Sequence, residues 1–362
     1  MAETTILPVD CDISPFYIYR MKHLSILALE DATMNCIDSC YQILTRVNDF
    51  RRYKGQPPFY NVEIVGTKKK TAISKGLYNI NVTRTIDEIR KTDVIFIPIV
   101  CGDFAKTANT NKAFSEWVAR QHKKGAEIVS LCVGSFFLAS TGLLDGRKCA
   151  IHWAAKDEFM TMYPSVNTID DTIITDEHGI YTCGGGYSFL NLLLYVIEKH
   201  LGREMSVLAS KMFEIDIERK NQNPFMIFMG QKRHNDEAVL RAQEFIENNP
   251  SESFTVDRIC EKIGIGRRTF ERRFRKCTGN SVMEYIQRVK VEQTKKDLES
   301  GSKTINEIIF DVGYNDVDAF RKVFKKYTDL SPLEYRKRYA GERAATPRSQ
   351  TRSNRSPYSR HT

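Results

Sequence analysis

The sequence predicts two domains of different class: an α/β domain on a largely parallel sheet, then an all-α domain holding two helix-turn-helix units. Three observations carry this. Apolar runs suited to buried strands alternate with amphipathic helical spacing from about residue 23 to residue 202. The last third of the chain repeats itself. The net charge of +9 sits wholly on that repeated part: residues 1–230 hold 26 Lys and Arg against 26 Asp and Glu, whereas residues 231–362 hold 28 against 19. At 362 residues the chain exceeds one ordinary core.

Residues 1–21 read as an extension, and the α/β domain is expected over 22–222. HLSILAL is a buried-strand run, and 35–50 has helical spacing. NVEIVGT and 77–84 read as strands, and DVIFIPIV as a buried one. A helix is predicted over 109–124, a strand over EIVSLC and a short helix over 134–141. Residues 172–181 read as a hairpin turning at 176–179, and 187–202 as an amphipathic helix ending at Gly202. Such alternation implies parallel strands covered by helices on both faces. A polar linker is expected over 223–235 and the helical domain over 236–340. The tail 341–362, rich in Ser, Thr, Arg and Pro, is expected to be disordered.

The repeat is specific. Thr255, Ile259 and Gly264 return 49 positions later as Thr304, Ile308 and Gly313. Phe270, Phe274, Thr278, Ser281, Glu284, Tyr285 and Arg288 return 50 later as Phe320, Phe324, Thr328, Ser331, Glu334, Tyr335 and Arg338. One supersecondary unit is therefore used twice. In the first copy Thr255 suits a helix N-cap, Val256, Ile259, Cys260 and Ile263 form an inward stripe, and Gly264 supplies the turn. The next helix buries Phe270 and Phe274 and presents Arg267, Arg268, Glu271, Arg272 and Arg275 on its other face. Arg grips guanine O6 and N7 bidentately, and Glu accepts from cytosine N4. The second copy opens its reading helix on Asp316 and Asp318 and places Arg321, Lys322, Lys325 and Lys326 further along. Acids near phosphates repel, so the first unit is expected to carry most base-specific affinity.

Nine cysteines without CxxC pairs or nearby His clusters argue against a disulfide framework and a zinc site, and no cofactor or metal is expected. Residues 1–15 hold three acids and no base, unlike a secretory leader. No apolar run approaches the ~20 residues that cross a bilayer. A reducing cytoplasm and no membrane partner are expected.

Residues 236–339 closely resemble the AraC/XylS family of bacterial transcription regulators, most specifically in IFDVGYNDVDAFRKVFKKYTDLSPLEYR. The resemblance implies two helix-turn-helix units joined by a long helix over 281–299. It implies base reading by Arg268, Glu271 and Arg272 in the first unit and by Val317, Asp318, Arg321 and Lys322 in the second. It implies a double-stranded DNA operator and RNA polymerase as partners. One departure is Gly266, where the family caps its first reading helix with Ser.

In EIVSLCVGSFFLASTGLLDGRKCAIHW, Cys132 lies between a strand and a Gly-containing helix start. A thiol there meets the positive helix end, which is expected to expose it and lower its pKa. His152 follows 20 residues on as a candidate base, the pattern of a nucleophile elbow. The segment resembles the ThiJ/PfpI, or class I glutamine amidotransferase-like, superfamily, in the version fused ahead of AraC-type helices. The likeness spans most of 22–215, including CGGGYSFLNLLLYVIEKHLGR, and implies a flavodoxin-like (amidotransferase-like) fold. Two features depart from it. The supporting acid would fall at Asn35 or Cys36, and residues 98–102 carry one glycine, Gly102, where the superfamily has Gly-Gly. Without them catalysis is not expected. The chain reads as a dimeric, non-enzymatic transcription regulator whose effector pocket is lined by Asn35, Gly102, Cys132, Val133 and His152. Two alternatives stay open: a cysteine-dependent hydrolase or hydratase, and a thiol redox sensor.

Overall fold

The computed structural model describes residues 20–169, 172–219 and 221–341. The chain divides into two compact units at Asn221 and Gln222. Apart from residues 20, 21 and 341, the expected extension and tail lie outside the described residues.

The first unit is built on seven strands. From edge to edge they run Ile174–Glu177, Ile180–Cys183, Glu127–Ser130, Val94–Ile97, Lys22–Leu27, Tyr60–Gly66 and Arg84–Thr85. Neighbours pair in parallel except the edge hairpin of Ile174–Glu177 with Ile180–Cys183. The strand order about Lys22–Leu27 is that of a flavodoxin-like sheet. Val94, Ile95, Phe96 and Ile97 are all fully buried. Successive strand residues face opposite ways, so both faces are covered. One helical group comprises Met34–Tyr53, Phe189–Leu201 and Arg203–Met212; another comprises Phe104–Thr110, Lys112–Lys123 and Ser135–Ser140.

Several elements differ from the sequence expectation. The predicted 109–124 helix breaks at Asn111, whose side chain turns inward: its Nδ2 donates to the Thr107 carbonyl at 2.9 Å and its Oδ1 accepts the Glu30 N–H at 3.0 Å. The 77–84 strand is instead half of a hairpin, Lys70–Ile73 with Tyr78–Asn81, followed by the two-residue strand Arg84–Thr85. The helices Lys156–Met162 and Arg203–Met212 and the strand pair Lys148–Ala150 with Asn167–Ile169 were not expected.

The second unit has two apolar cores, one per repeat. Its helices are Glu237–Asn248, Val256–Ile263, Arg267–Thr278, Val282–Ser300, Ile305–Asp311, Val317–Thr328 and Pro332–Tyr339. The duplication extends to single contacts. Phe270, Phe274 and Thr278 are buried, as are Phe320, Phe324 and Thr328. Phe274 meets Tyr285 edge-on at 5.2 Å, and Phe324 meets Tyr335 at 5.5 Å. The tyrosine hydroxyls donate to Glu247 and Glu299. Ser281 with Glu284, and Ser331 with Glu334, form matching capping boxes. The segment expected as a linker is laid along this unit; Phe228 packs against the first core.

Candidate nucleic-acid interface and ligand pocket

Helix Arg267–Thr278 holds its surface at fixed angles because Phe270 and Phe274 are locked beneath it. Arg268, Glu271, Arg272 and Arg275 are all exposed. Arg267 is engaged: it pairs with Asp257 at 3.0 Å and with Glu271 at 3.2 Å. Arg273 grips Asp236 from the helix's inner side at 2.6 Å. Among the described residues no ion pair holds Arg268, Arg272 or Arg275, so these three guanidiniums remain available to an anionic partner.

Helix Val317–Thr328 is arranged differently. Asp316 caps it by accepting the N–H groups of Asp318 and Ala319, both at 3.0 Å, whereas Gly266 offers helix Arg267–Thr278 no side-chain cap. Asp318 is paired with Arg321 at 3.1 Å, and Val317 packs against the second core. Lys322 and Lys325 are exposed, with no ion pair among the described residues.

In the first unit Cys132 keeps elbow geometry. Its φ of 52° is a left-handed conformation costly for a residue with a Cβ. Two residues on, a Cβ on Gly134 would fall 2.6 Å from the Pro98 carbonyl oxygen, so the elbow needs glycine to sit under the loop after Val94–Ile97. The thiol is not the exposed, acidic one expected. Cys132 is 2% exposed, and burial pushes its pKa up to about 12, against hydrogen bonds from Val133 and Gly185 that lower it only in part.

The pocket residues do not converge as a catalytic set. Cys36, not Asn35, faces inward; Asn35 is exposed and Cys36 fully buried. Cys36 Sγ accepts the Ile99 N–H at 3.3 Å, and the Cys101 N–H donates to the Asp31 carbonyl at 3.0 Å. Two of the loop N–H groups that could face an oxyanion, those of Ile99 and Cys101, are thus already engaged. His152 is half-buried, and its Nδ1 accepts the Ala154 N–H at 3.1 Å, capping the turn Trp153–Ala155. Desolvation and the nearby Arg219 lower its pKa, so the ring is neutral at pH 7. No hydrogen bond joins it to Cys132 among the described residues. The group beside Cys132 is instead Cys183, at the end of the neighbouring strand, whose Sγ accepts the Cys132 N–H at 3.3 Å. Val133 is half-buried and Gly102 exposed at φ 106°. No group of three or more His, Cys, Asp or Glu side chains among the described residues is placed to hold a metal ion. No helix among them is long and apolar enough to cross a membrane.

The geometry defines the class: an amidotransferase-like α/β unit ahead of a tandem helix-turn-helix unit. Comparison with known proteins gives the families. The DJ-1/PfpI family matches residues 50–199, and a helix-turn-helix domain model matches 259–338. The chain thus carries a DJ-1/PfpI domain followed by an AraC-type helix-turn-helix domain. It is similar to the HTH-type transcriptional regulator GbdR of Pseudomonas aeruginosa, 24% identical over 242 residues, which are 66% of this chain and 65% of that protein's length. It is also similar to the HTH-type transcriptional regulator GlxA of Rhizobium meliloti, 24% identical over 223 residues, 60% of this chain and 68% of that protein. The xylose operon regulatory protein of Escherichia coli is 36% identical over 101 residues, 28% of this chain and 26% of that one. Among solved structures, a ThiJ/PfpI family protein from Pseudomonas syringae superposes with a TM-score of 0.47 at 17% identity, over 68% of this chain and 93% of that one.

Proposed function

We propose that this protein is a ligand-responsive transcription regulator. The helical unit reads an operator through helix Arg267–Thr278 in one major groove and Val317–Thr328 in the next, about 34 Å along the same face of the duplex. The observation that carries this reading is the exposed row of Arg268, Arg272 and Arg275, held by no ion pair among the described residues, on a helix locked from below. The α/β unit serves as a sensor, binding a small molecule near Cys132, Val133 and His152 and, as a homodimer, pairing two DNA-binding units. An effector preferring one arrangement then shifts the population competent for operator or RNA polymerase.

The same unit is read as non-enzymatic. A buried thiol held near pKa 12, a histidine spent on a cap and two loop N–H groups already bound speak against an assembled catalytic set. Relatives named as transcriptional regulators support this. The protein is placed in the cytoplasm, where its DNA target lies.

Selection of duplexes from a random pool by the full chain tests the reading. It should enrich one motif, with affinity at least ~10³-fold above random DNA and a steep salt dependence. An affinity ratio near one would overturn it. A thermal-shift screen of small metabolites should raise the melting point of the chain for its effector.

A further inference from the structure

Residues 223–231 lie against both helix-turn-helix copies. At one end Asn223 Nδ2 donates to Asp329 at 2.7 Å, and the Tyr339 hydroxyl donates to the Pro224 carbonyl at 3.0 Å. The Arg338 guanidinium lies 4.7 Å over the Phe225 ring. All three contacts fall on the second copy. In the middle Lys295 Nζ donates to the Met226 carbonyl at 2.7 Å, and the Phe228 N–H donates to Glu292 at 3.1 Å. These reach the connecting helix Val282–Ser300. At the other end Phe228 meets Tyr285 edge-on at 5.0 Å, with Arg288 at 5.7 Å over its ring. Gln231 accepts from Gln243, on the helix Glu237–Asn248 that precedes the first copy, at 3.0 Å and from Asn280, on the first copy, at 3.1 Å.

The arrangement follows the duplication. Arg288 and Arg338 are equivalent positions of the repeat, and each covers one phenylalanine of this strap, Phe228 and Phe225. Both ends are therefore fastened by the same cation–π contact. Between these contacts two side chains are left largely unpacked. Ile227 and Met229 are 54% and 69% exposed, and a cavity of about 300 Å³ lies between the strap and Pro250, Val289 and Gln293.

The strap also lies on a particular side of the connecting helix. Tyr285, Arg288, Glu292 and Lys295 recur every three or four residues and so share one face. Lys290, which joins the loop ahead of the first copy to the turn of the second through the Glu252 and Val312 carbonyls, projects from the opposite face. One fastening leaves a rotation about itself; a second on the opposite side removes it.

We propose that residues 223–231 are a releasable clamp that fixes the mutual arrangement of the two helix-turn-helix copies. Because the strap is also the covalent continuation of Asn221, displacing it from the α/β side would change the spacing between the reading helices. That consequence rests on the DNA-reading proposal above; the clamp itself does not.

The test places spin labels at Lys276 and Lys326, equivalent exposed positions on the two reading helices, by non-natural amino acid in the full chain, and measures their separation. The wild-type chain gives one narrow distance distribution. Phe225→Ala and Phe228→Ala, each removing one fastening, broaden it about twofold or shift it while the helical melt is kept. An unchanged distribution in both variants overturns the clamp. Loss of the cooperative melt in both also overturns it, since the segment is then part of the core and not releasable. A second measurement uses duplexes enriched by the wild-type chain, with one base pair inserted between the two read segments. Discrimination against the insertion falls about tenfold in the variants if the clamp sets spacing. A wild-type chain that enriches no motif counts against the DNA reading alone, because the distance measurement stands without DNA.

Discussion

The Lys290 ammonium donates to the Val312 carbonyl at 2.5 Å and to the Glu252 carbonyl at 2.8 Å, joining the turn of the second helix-turn-helix to the loop ahead of Val256–Ile263. Lys290 is 4% exposed, and burial lowers its pKa to about 8. Lys290→Met would keep the packing volume and leave both carbonyls without this donor, a cost of about 2 kcal/mol in chemical denaturation. The pH dependence is distinctive. Between pH 8 and the ordinary lysine value of 10.5 the unfolded chain holds this proton and the folded one releases it. Stability therefore rises with pH across that window, and the variant should lack that rise.

Gly264 and Gly313 occupy the same place in the repeat and the same left-handed backbone, φ 71° and 72°. Their surroundings differ. A Cβ on Gly264 meets nothing within 4 Å, whereas one on Gly313 would fall 2.2 Å from the Ser251 carbonyl oxygen. Gly264→Ala should cost about 1 kcal/mol of backbone strain. Gly313→Ala adds a collision with backbone and should cost about 3 kcal/mol or more. Equal costs in urea titrations would mean that the contact with Ser251 yields freely.

What the sequence disclosed follows from the range of the interactions involved. The capping boxes Ser281 with Glu284 and Ser331 with Glu334, and the stripe of Phe270 and Phe274, are local and were readable as spacing. The elbow at Cys132 was readable because strand, turn and helix follow in order. Its burial was not, since the groups that enclose it come from residues 36, 98–101 and 183–185. The strap looked like a linker because the polar runs KNQNP and GQKRHND flank it. Its hooks, Phe225 and Phe228, find their arginines 113 and 60 positions away, and no periodicity announces such pairs. Asn111 broke a predicted helix for the same reason: its partner Glu30 is 81 residues distant.

Arg267 and Arg268 are neighbours with different prospects. Arg267 already bridges Asp257 and Glu271, while Arg268 has no ion pair among the described residues. Arg268→Ala should weaken operator binding by about 1–3 kcal/mol and relax preference at one base pair. Arg267→Ala should change affinity less and leave the preferred sequence intact. Competition with singly substituted operators separates the two; a variant of Arg268 that discriminates as the wild type does would remove it from the reading face.

Glu127 anchors the other end of the sheet from Cys132. It accepts from Lys22 at 2.9 Å, from His200 at 3.0 Å and from the Tyr181 hydroxyl at 3.0 Å. Burial works to raise its pKa, but the hydrogen bonds from His200 and Lys22 outweigh it and hold the carboxyl at about 2. Its stabilising effect is complete above the ordinary value of 4.5 and is lost as pH falls from 4.5 towards 2. Glu127→Ala, which strands Lys22 and His200, should cost on the order of 3 kcal/mol at pH 7 and flatten acid unfolding in that window.

Cys132 decides between a sensor pocket and thiol chemistry. With a pKa near 12, its thiolate fraction at pH 8 is roughly one in ten thousand, and the sulfur lies 2% exposed. Cys101, exposed in the neighbouring loop, should therefore be alkylated by iodoacetamide long before Cys132. Mass spectrometry of a time course at pH 8 reads the two sites separately. Cys132→Ser should leave the DNA affinity of peroxide-treated chain as it is in the wild type, because a buried neutral thiol is not the group oxidised first. Modification of Cys132 at the rate of Cys101 would show that the elbow opens in solution, and would return both a hydrolase and a redox switch to contention.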